Sequence, residues 1–102
     1  MTLYLSGPMS GMPLHNGPAF NEAAATLRAQ GHTVINPHEI SPPDGRTWEE
    51  ALRNDLLAML APERCELVLL PGWERSRGAR LEHHVAKELG FMIRTYANGI
   101  LV

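Results

Sequence analysis

Apolar positions along this chain fall into short packets whose spacing switches between two residues and about 3.6. Thr2 to Ser6 is a brief β-rich run ending at Gly7-Pro8. From Pro18 to Gln30 the period is helical: Pro suits a first turn, Ala19, Phe20, Ala23 and Leu27 share a face, and Gly31 is placed as a C-cap. His32 to Asn36 predicts a second strand around Val34 and Ile35, closed by Pro37. Thr47, with Glu50 three residues on, marks a capping box and a helix running to about Ala61. Cys65 to Leu70 is nearly all apolar, as a strand buried on both faces should be. A further helix is expected from Gly78 to Leu89 with Gly90 as its cap, then a strand from Phe91 to Tyr96 and a short one at Ile100–Val102.

Strands alternating with helices imply parallel pairing through right-handed crossovers. The expected fold is α/β: a three-layer sandwich with a short, four- to five-stranded parallel sheet, Rossmann-like or flavodoxin-like, forming a single domain over residues 1–102. In such sheets ligands bind at the carboxyl ends of the strands.

Composition sharpens this picture at one point. Nine glycines and eight prolines are more than a chain of 102 residues usually carries. They cluster at Gly7–Pro18, Gly31–Gly45 and Pro71–Gly78, after the first three strands, which is the signature of built loops rather than of disorder. A net charge of −2 gives no footprint for a nucleic-acid polymer. No run approaches the roughly 18 apolar residues of a membrane helix, and the first residues lack a signal-peptide pattern. A lone cysteine, Cys65, fits a cytoplasmic setting. Gly7-Pro8-Met9-Ser10-Gly11 is neither a dinucleotide fingerprint nor a P-loop.

Two carboxylates break the hydrophobic pattern. On a helical wheel Ala79, Leu81, Val85, Ala86 and Leu89 fill one arc, and Glu82 falls near its middle. In the preceding helix Trp48, Ala51, Leu52, Ala58 and Met59 face inward, and Asp55 lies among them. A carboxylate in an apolar setting needs a partner, a raised pKa or a wet cleft. Each acid alone reads first as a structural hydrogen-bond acceptor, and only the two together make a functional reading equal to that one. Paired beside Gly-rich strand ends, they point to glycosidic chemistry, with one acid as nucleophile and the other as proton donor.

The other candidates are weaker. His83-His84 diverge on a helix and no His-x-x-x-His pair exists, so no metal is expected. His38 is placed either against a ligand or in solvent. Cys65 reads as a buried, inert thiol. Trp73 is a stacking surface for a base or a subunit contact.

Tyr4-Leu5-Ser6-Gly7-Pro8-Met9-Ser10-Gly11, Ile35-Asn36-Pro37, the Trp48…Asp55 helix and Leu70-Pro71-Gly72-Trp73-Glu74-Arg75-Ser76-Arg77-Gly78-Ala79-Arg80-Leu81-Glu82 together resemble the nucleoside 2-deoxyribosyltransferase-like superfamily. The resemblance spans nearly the whole chain. It is closest to an uncharacterised branch of small phage and prophage proteins, and more distant to the 2-deoxynucleoside 5-phosphate N-hydrolases. It implies a catalytic set of Glu82 as nucleophile, Tyr4 as its orienter and Asp55 as the acid that protonates the departing base. Ser76 to Glu82 is similar to the hydrolases' Ser-x-Gly-x-x-x-Glu phosphate segment. The hydrolases carry an Arg in the first loop where this chain has Ser10, and the transferases an Asp where it has Ser76.

The resulting expectation is an N-glycosidase or deoxyribosyltransferase acting on a small deoxynucleotide or deoxynucleoside through a covalent Glu-glycosyl intermediate. Gly7, Pro8, Met9, Ser10, Gly11, His38, Trp73, Ser76 and Gly78 would contact the substrate. No cofactor is required, and the chain is expected to form a homo-oligomer that closes the pocket. The alternative is a non-catalytic nucleotide-binding or sequestering protein, for which an acid pair has no use. An interaction domain whose acids are satisfied internally is the third.

Overall fold

A computed structural model describes residues 1–41 and 46–102; Pro42, Pro43 and Gly45 of the second Gly/Pro cluster, with Asp44, lie outside the described residues. With one short helix added, the elements follow the expected order: β1 (Thr2–Ser6), α1 (Gly17–Ala29), β2 (Thr33–Ile35), α2 (Pro37–Ile40), α3 (Trp48–Leu60), β3 (Glu66–Leu69), α4 (Arg77–Glu88), β4 (Ile93–Ala97) and β5 (Ile100–Leu101). The strands form one five-stranded sheet ordered β2-β1-β3-β4-β5. β1 lies at its interior, parallel to β2 on one side and β3 on the other, with Tyr4 opposite Ile35 and Leu67.

The sheet is mixed, which corrects the expectation of an all-parallel one. β5 pairs antiparallel with β4. Asn98 and Gly99 join them with φ of +53° and +79°. An Asn-Gly pair with positive φ at both positions makes the tight turn that folds a strand straight back on its neighbour, so no crossover intervenes. That dipeptide is legible in the sequence and outranks the β-α-β rhythm there.

Side chains alternate across β1 and divide the interior in two. Leu3 and Leu5 join Phe20, Ala23, Ala24 and Leu27 of α1 in one cluster. Tyr4 joins Met59 of α3, Leu67 and Leu69 of β3, and Ala86 of α4 in the other. β3 is buried along its whole length, as its composition demands.

Helix boundaries follow local chemistry. The Thr47 hydroxyl accepts from the Glu50 amide at 3.1 Å, and the Glu50 carboxylate accepts from the Thr47 amide at 2.9 Å, so the capping box is formed. Ser76 caps α4 by accepting from the Ala79 amide at 3.1 Å. The short helix α2 is not in the sequence-based order. It forms because Pro37 sits in its first turn and the Asn36 side chain accepts from the His38 amide at 3.1 Å. Three apolar assignments also need correction: Ala19, Leu81 and Leu89 are exposed. α4 rests on the sheet through a narrow stripe, Ala79, Glu82 and Ala86 with Val85 packed beside them, so Leu81 and Leu89 at the edges of the predicted arc face outward. No described helix is long and apolar enough to cross a membrane.

Candidate functional site

Both anomalous acids are buried: Glu82 is 5% exposed and Asp55 8%. α4 lays Glu82 against β1, and α3 brings Asp55 in from the side between Leu52 and Met59. The two acids share the wall of one cleft of about 400 Å³. Gly7, Met9 and Ser10 contribute the loop after β1, and Ser76 and Gly78 the start of α4. His38, carried by α2, closes another side.

Glu82 is held by two hydroxyls. Tyr4 donates to its Oε2 at 2.7 Å and Ser6 to its Oε1 at 2.6 Å. Burial nevertheless pushes the Glu82 carboxyl up to about 7, against the lowering effect of both hydrogen bonds and with the nearby Asp55 charge adding to the rise. The Tyr4 hydroxyl is driven well above its ordinary range by burial first, and then by the charges of Glu82 and Asp55. It therefore remains a phenol, able to donate.

Asp55 is less well accommodated. Burial raises it to about 6, while the Ser41 hydroxyl and the Arg46 charge pull the other way. Its Oδ1 is buried and has no hydrogen-bond partner among the described residues. A buried oxygen in that state costs about 1–3 kcal/mol, which a ligand donor or a proton on the acid would relieve.

The histidine of the second loop is pinned rather than loose. The His38 ring packs on Phe20 at 5.0 Å between centroids, and Nε2 lies 2.9 Å from the His15 carbonyl oxygen. Burial lowers its pKa, so the ring enters the cleft wall neutral at physiological pH. Leu14, His15 and Asn16 run in left-handed backbone, with φ of 53°, 51° and 60°, a conformation costing about 1–2 kcal/mol per residue. That turn is what brings the His15 carbonyl onto His38.

The remaining expected residues divide. Tyr4 lies behind Glu82, away from the cleft surface. Among the described residues Pro8, Gly11 and Trp73 do not line the cleft. Trp73 instead stacks on His83, with ring centroids 4.7 Å apart, and packs against the Tyr4 cluster. Cys65 is buried and its thiol is pushed up to about 11, chiefly by burial, so it stays protonated.

The sequence pattern leaves several groups of the site unmarked, Ser41 beside Asp55 among them. Ser6 could have been found from its position two residues after Tyr4, on the same face of a strand. Arg46 and His15 line the cleft with no periodic signal to betray them. Trp48 is legible as an inward residue but not as part of this wall; its ring carries the Arg77 guanidinium 4.0 Å from its centre, a contact that ties α3 to α4.

Comparison with known proteins agrees with this architecture. A family model described as "Domain of unknown function (DUF4406)" matches residues 1–95. A comparison with curated protein sequences finds no match. Among solved structures, the chain is similar to a 2-deoxyribosyltransferase from the psychrotolerant bacterium Bacillus psychrosaccharolyticus, described as a biocatalyst for nucleoside synthesis. The two superpose with a TM-score of 0.68 at 21% sequence identity, over 93% of this chain and 71% of that one. The likeness establishes a shared α/β fold.

Proposed function

Because the chain belongs to the DUF4406 family, whose description leaves the activity open, we propose that it is an N-glycosidase or 2-deoxyribosyltransferase for a small deoxynucleoside or deoxynucleotide. The observation that carries this reading is the Glu82 carboxylate, buried on a cleft wall with a hydroxyl on each oxygen. A structural acid would be fully paired and far from open space. Glu82 is instead paired and facing a cavity of ligand size, with a second raised-pKa acid beside it.

In this reading a Glu82 oxygen attacks the anomeric carbon as the C–N glycosidic bond breaks. The bonding electrons leave with the base, and Asp55 supplies the proton that neutralises it. Water or a second base then attacks the same carbon and gives its proton to the Asp55 carboxylate, and the electrons of the ester bond return to Glu82. Gly7, Ser10 and the amides at the start of α4 face the sugar and any phosphate; the Ser76 oxygen accepts from Ala79, so its own hydrogen is left to donate to a ligand. Arg46 places a cation on the same wall, where the first loop offers only Ser10. Kinship with the N-hydrolases and with small phage or prophage proteins, a cytoplasmic setting, and a second copy of the chain closing the cleft belong to the same proposal.

The test is to incubate the protein and a Glu82→Gln variant with a panel of deoxynucleosides and their 5′-monophosphates and to measure free base by chromatography. Base released by the wild type and not by the variant supports the glycosidase. No base from either, with a nucleotide still binding in calorimetry, makes the chain a nucleotide-binding protein instead.

A further inference from the structure

Ser6 is a polar residue where β1 offers every reason for an apolar one. It is 1% exposed, on an interior strand whose opposite face carries Leu3 and Leu5. Its backbone is fixed by the sheet: its carbonyl accepts from the Leu70 amide at 2.8 Å. The next residue packs closely on the same neighbour, since a Cβ on Gly7 would come within 2.9 Å of the Leu70 Cβ. The reach of the Ser6 hydroxyl is therefore set by the backbone, and it ends on Glu82 Oε1 at 2.6 Å.

The two donors on Glu82 are not equivalent. β1 runs towards the cleft, because Gly7, immediately after Ser6, lines it. Two residues along a strand span about 6.6 Å, so Ser6 lies that much nearer the cleft than Tyr4. Oε1, under Ser6, is thus the oxygen on the cleft side, and Oε2, under Tyr4, the one on the buried side.

We propose that Ser6 is a positioning residue for this site: its hydroxyl presents Glu82 Oε1 as the attacking oxygen and receives that oxygen again when the glycosyl ester is broken. The proposal rests on the glycosidase reading given above. In the first step Oε1 gives an electron pair to the anomeric carbon while the C–N electrons leave with the base, which is protonated by Asp55. Oε2 becomes the ester carbonyl oxygen and keeps its hydrogen bond from Tyr4. In the second step the acceptor, water or a base nitrogen, bonds to the anomeric carbon and passes its proton to the Asp55 carboxylate left by the first step. The C–O electrons return to Oε1, and the Ser6 hydroxyl again donates to the restored carboxylate. The donor on Oε1 thus favours the charged leaving carboxylate of the second step more than the attacking one of the first. The same hydrogen bond opposes the effect of burial on the Glu82 carboxyl.

The experiment compares wild type, Ser6→Ala, Ser6→Thr and Tyr4→Phe by two measurements. The first follows the Glu82 side-chain carbon by NMR across pH in the free protein and needs no turnover. The second quenches the reaction with a panel of deoxynucleosides and their 5′-monophosphates and weighs the protein for a glycosyl adduct on Glu82. Ser6→Ala should move the Glu82 midpoint upward by about one pH unit or more. It should also raise the fraction of protein carrying the adduct several-fold, because resolution slows more than formation. Ser6→Thr, which keeps the hydroxyl, should restore both, and Tyr4→Phe should move the midpoint without accumulating adduct. A wild type that forms adduct, with Ser6→Ala unchanged in both midpoint and adduct, overturns the role of Ser6 alone. Absence of adduct from every protein overturns the covalent reading of the site, whatever the titration shows.

Discussion

The two faces of β1 are built from one five-residue strand and do opposite work. Towards α1 the strand presents Leu3 and Leu5, both fully buried, to a cluster made of Phe20, Ala23, Ala24 and Leu27. Towards α3 and α4 it presents Tyr4 and Ser6, also buried, to a carboxylate. The first face stabilises by area removed from water, at about 25 cal/mol per Å² of apolar surface. The second holds one carboxylate, Glu82, through two hydrogen bonds that oppose the rise burial imposes on it. The contrast teaches that a strand can carry a core and a site at once when its period of two separates them. The apolar face holds the backbone still, so that the polar face can have geometry rather than merely composition.

Substitutions on the two faces should therefore separate cleanly. The largest effect belongs to Glu82→Gln, which should lower base release by about 10³-fold or more and leave the folded secondary structure intact by circular dichroism. Retained activity would sink the assignment of the nucleophile. Leu5→Ala, one residue from Tyr4 but on the other face, should cost about 3 kcal/mol in denaturant unfolding. Its Glu82 titration should stay where it is in the wild type.

The polar face should show its cost in the pH dependence of stability. The Glu82 carboxyl is raised in the folded state, to about 7 from an ordinary 4.5. The unfolded chain thus loses its proton first as pH rises. The stability tied to this group is fully present below about pH 4.5 and is lost as pH climbs through 7, amounting to about 3 kcal/mol. Urea unfolding at pH 5 and pH 8 should reveal that loss in the wild type, and Glu82→Gln should shrink it to the smaller part that the raised Asp55 carboxyl contributes. A wild-type slope that survives whole in Glu82→Gln would mean the charge is accommodated elsewhere.

The same two acids set the rate profile. The reactive form has Glu82 charged and Asp55 protonated, and the pair titrates near 7 and 6. Base release per substrate at low concentration should follow a bell centred between those values. Asp55→Asn should remove the alkaline limb; a bell left unchanged would exclude Asp55 as the acid. The smallest expected effect is at the start of α3, where Thr47→Ala removes one cap and should cost about 1 kcal/mol. Since that helix carries Asp55, a disproportionate loss of base release would show that the cap also fixes the acid.

Much of the fold was legible because local chemistry repeats along the chain. The 3.6-residue spacing of Phe20, Ala23 and Leu27, the Thr47–Glu50 box and the apolar run into Leu70 each mark an element without help from distant residues. The fifth strand turns back against the α/β rhythm because Asn98-Gly99 is the stronger local signal. Leu81 and Leu89 depart from the pattern for a different reason. A wheel shows which side chains share an arc, but the width of the buried stripe depends on how closely α4 approaches the sheet.

The site divides along the same line. Sequence alone determined that Glu82 and Asp55 lie on inward faces, because helical period is a property of the chain itself. It also marked Gly7, Ser10, Ser76 and Gly78 as loop and helix-start residues near strand ends. Only the tertiary structure decided that the two acids share a cleft, that Ser6 joins Tyr4 on one carboxylate, and that Arg46 and His15 reach the same wall while Trp73 turns to His83. The reason is physical. Burial, charge and hydrogen bonding act through space over a few ångströms, and Ser6 and Glu82 are separated by 76 positions along the chain.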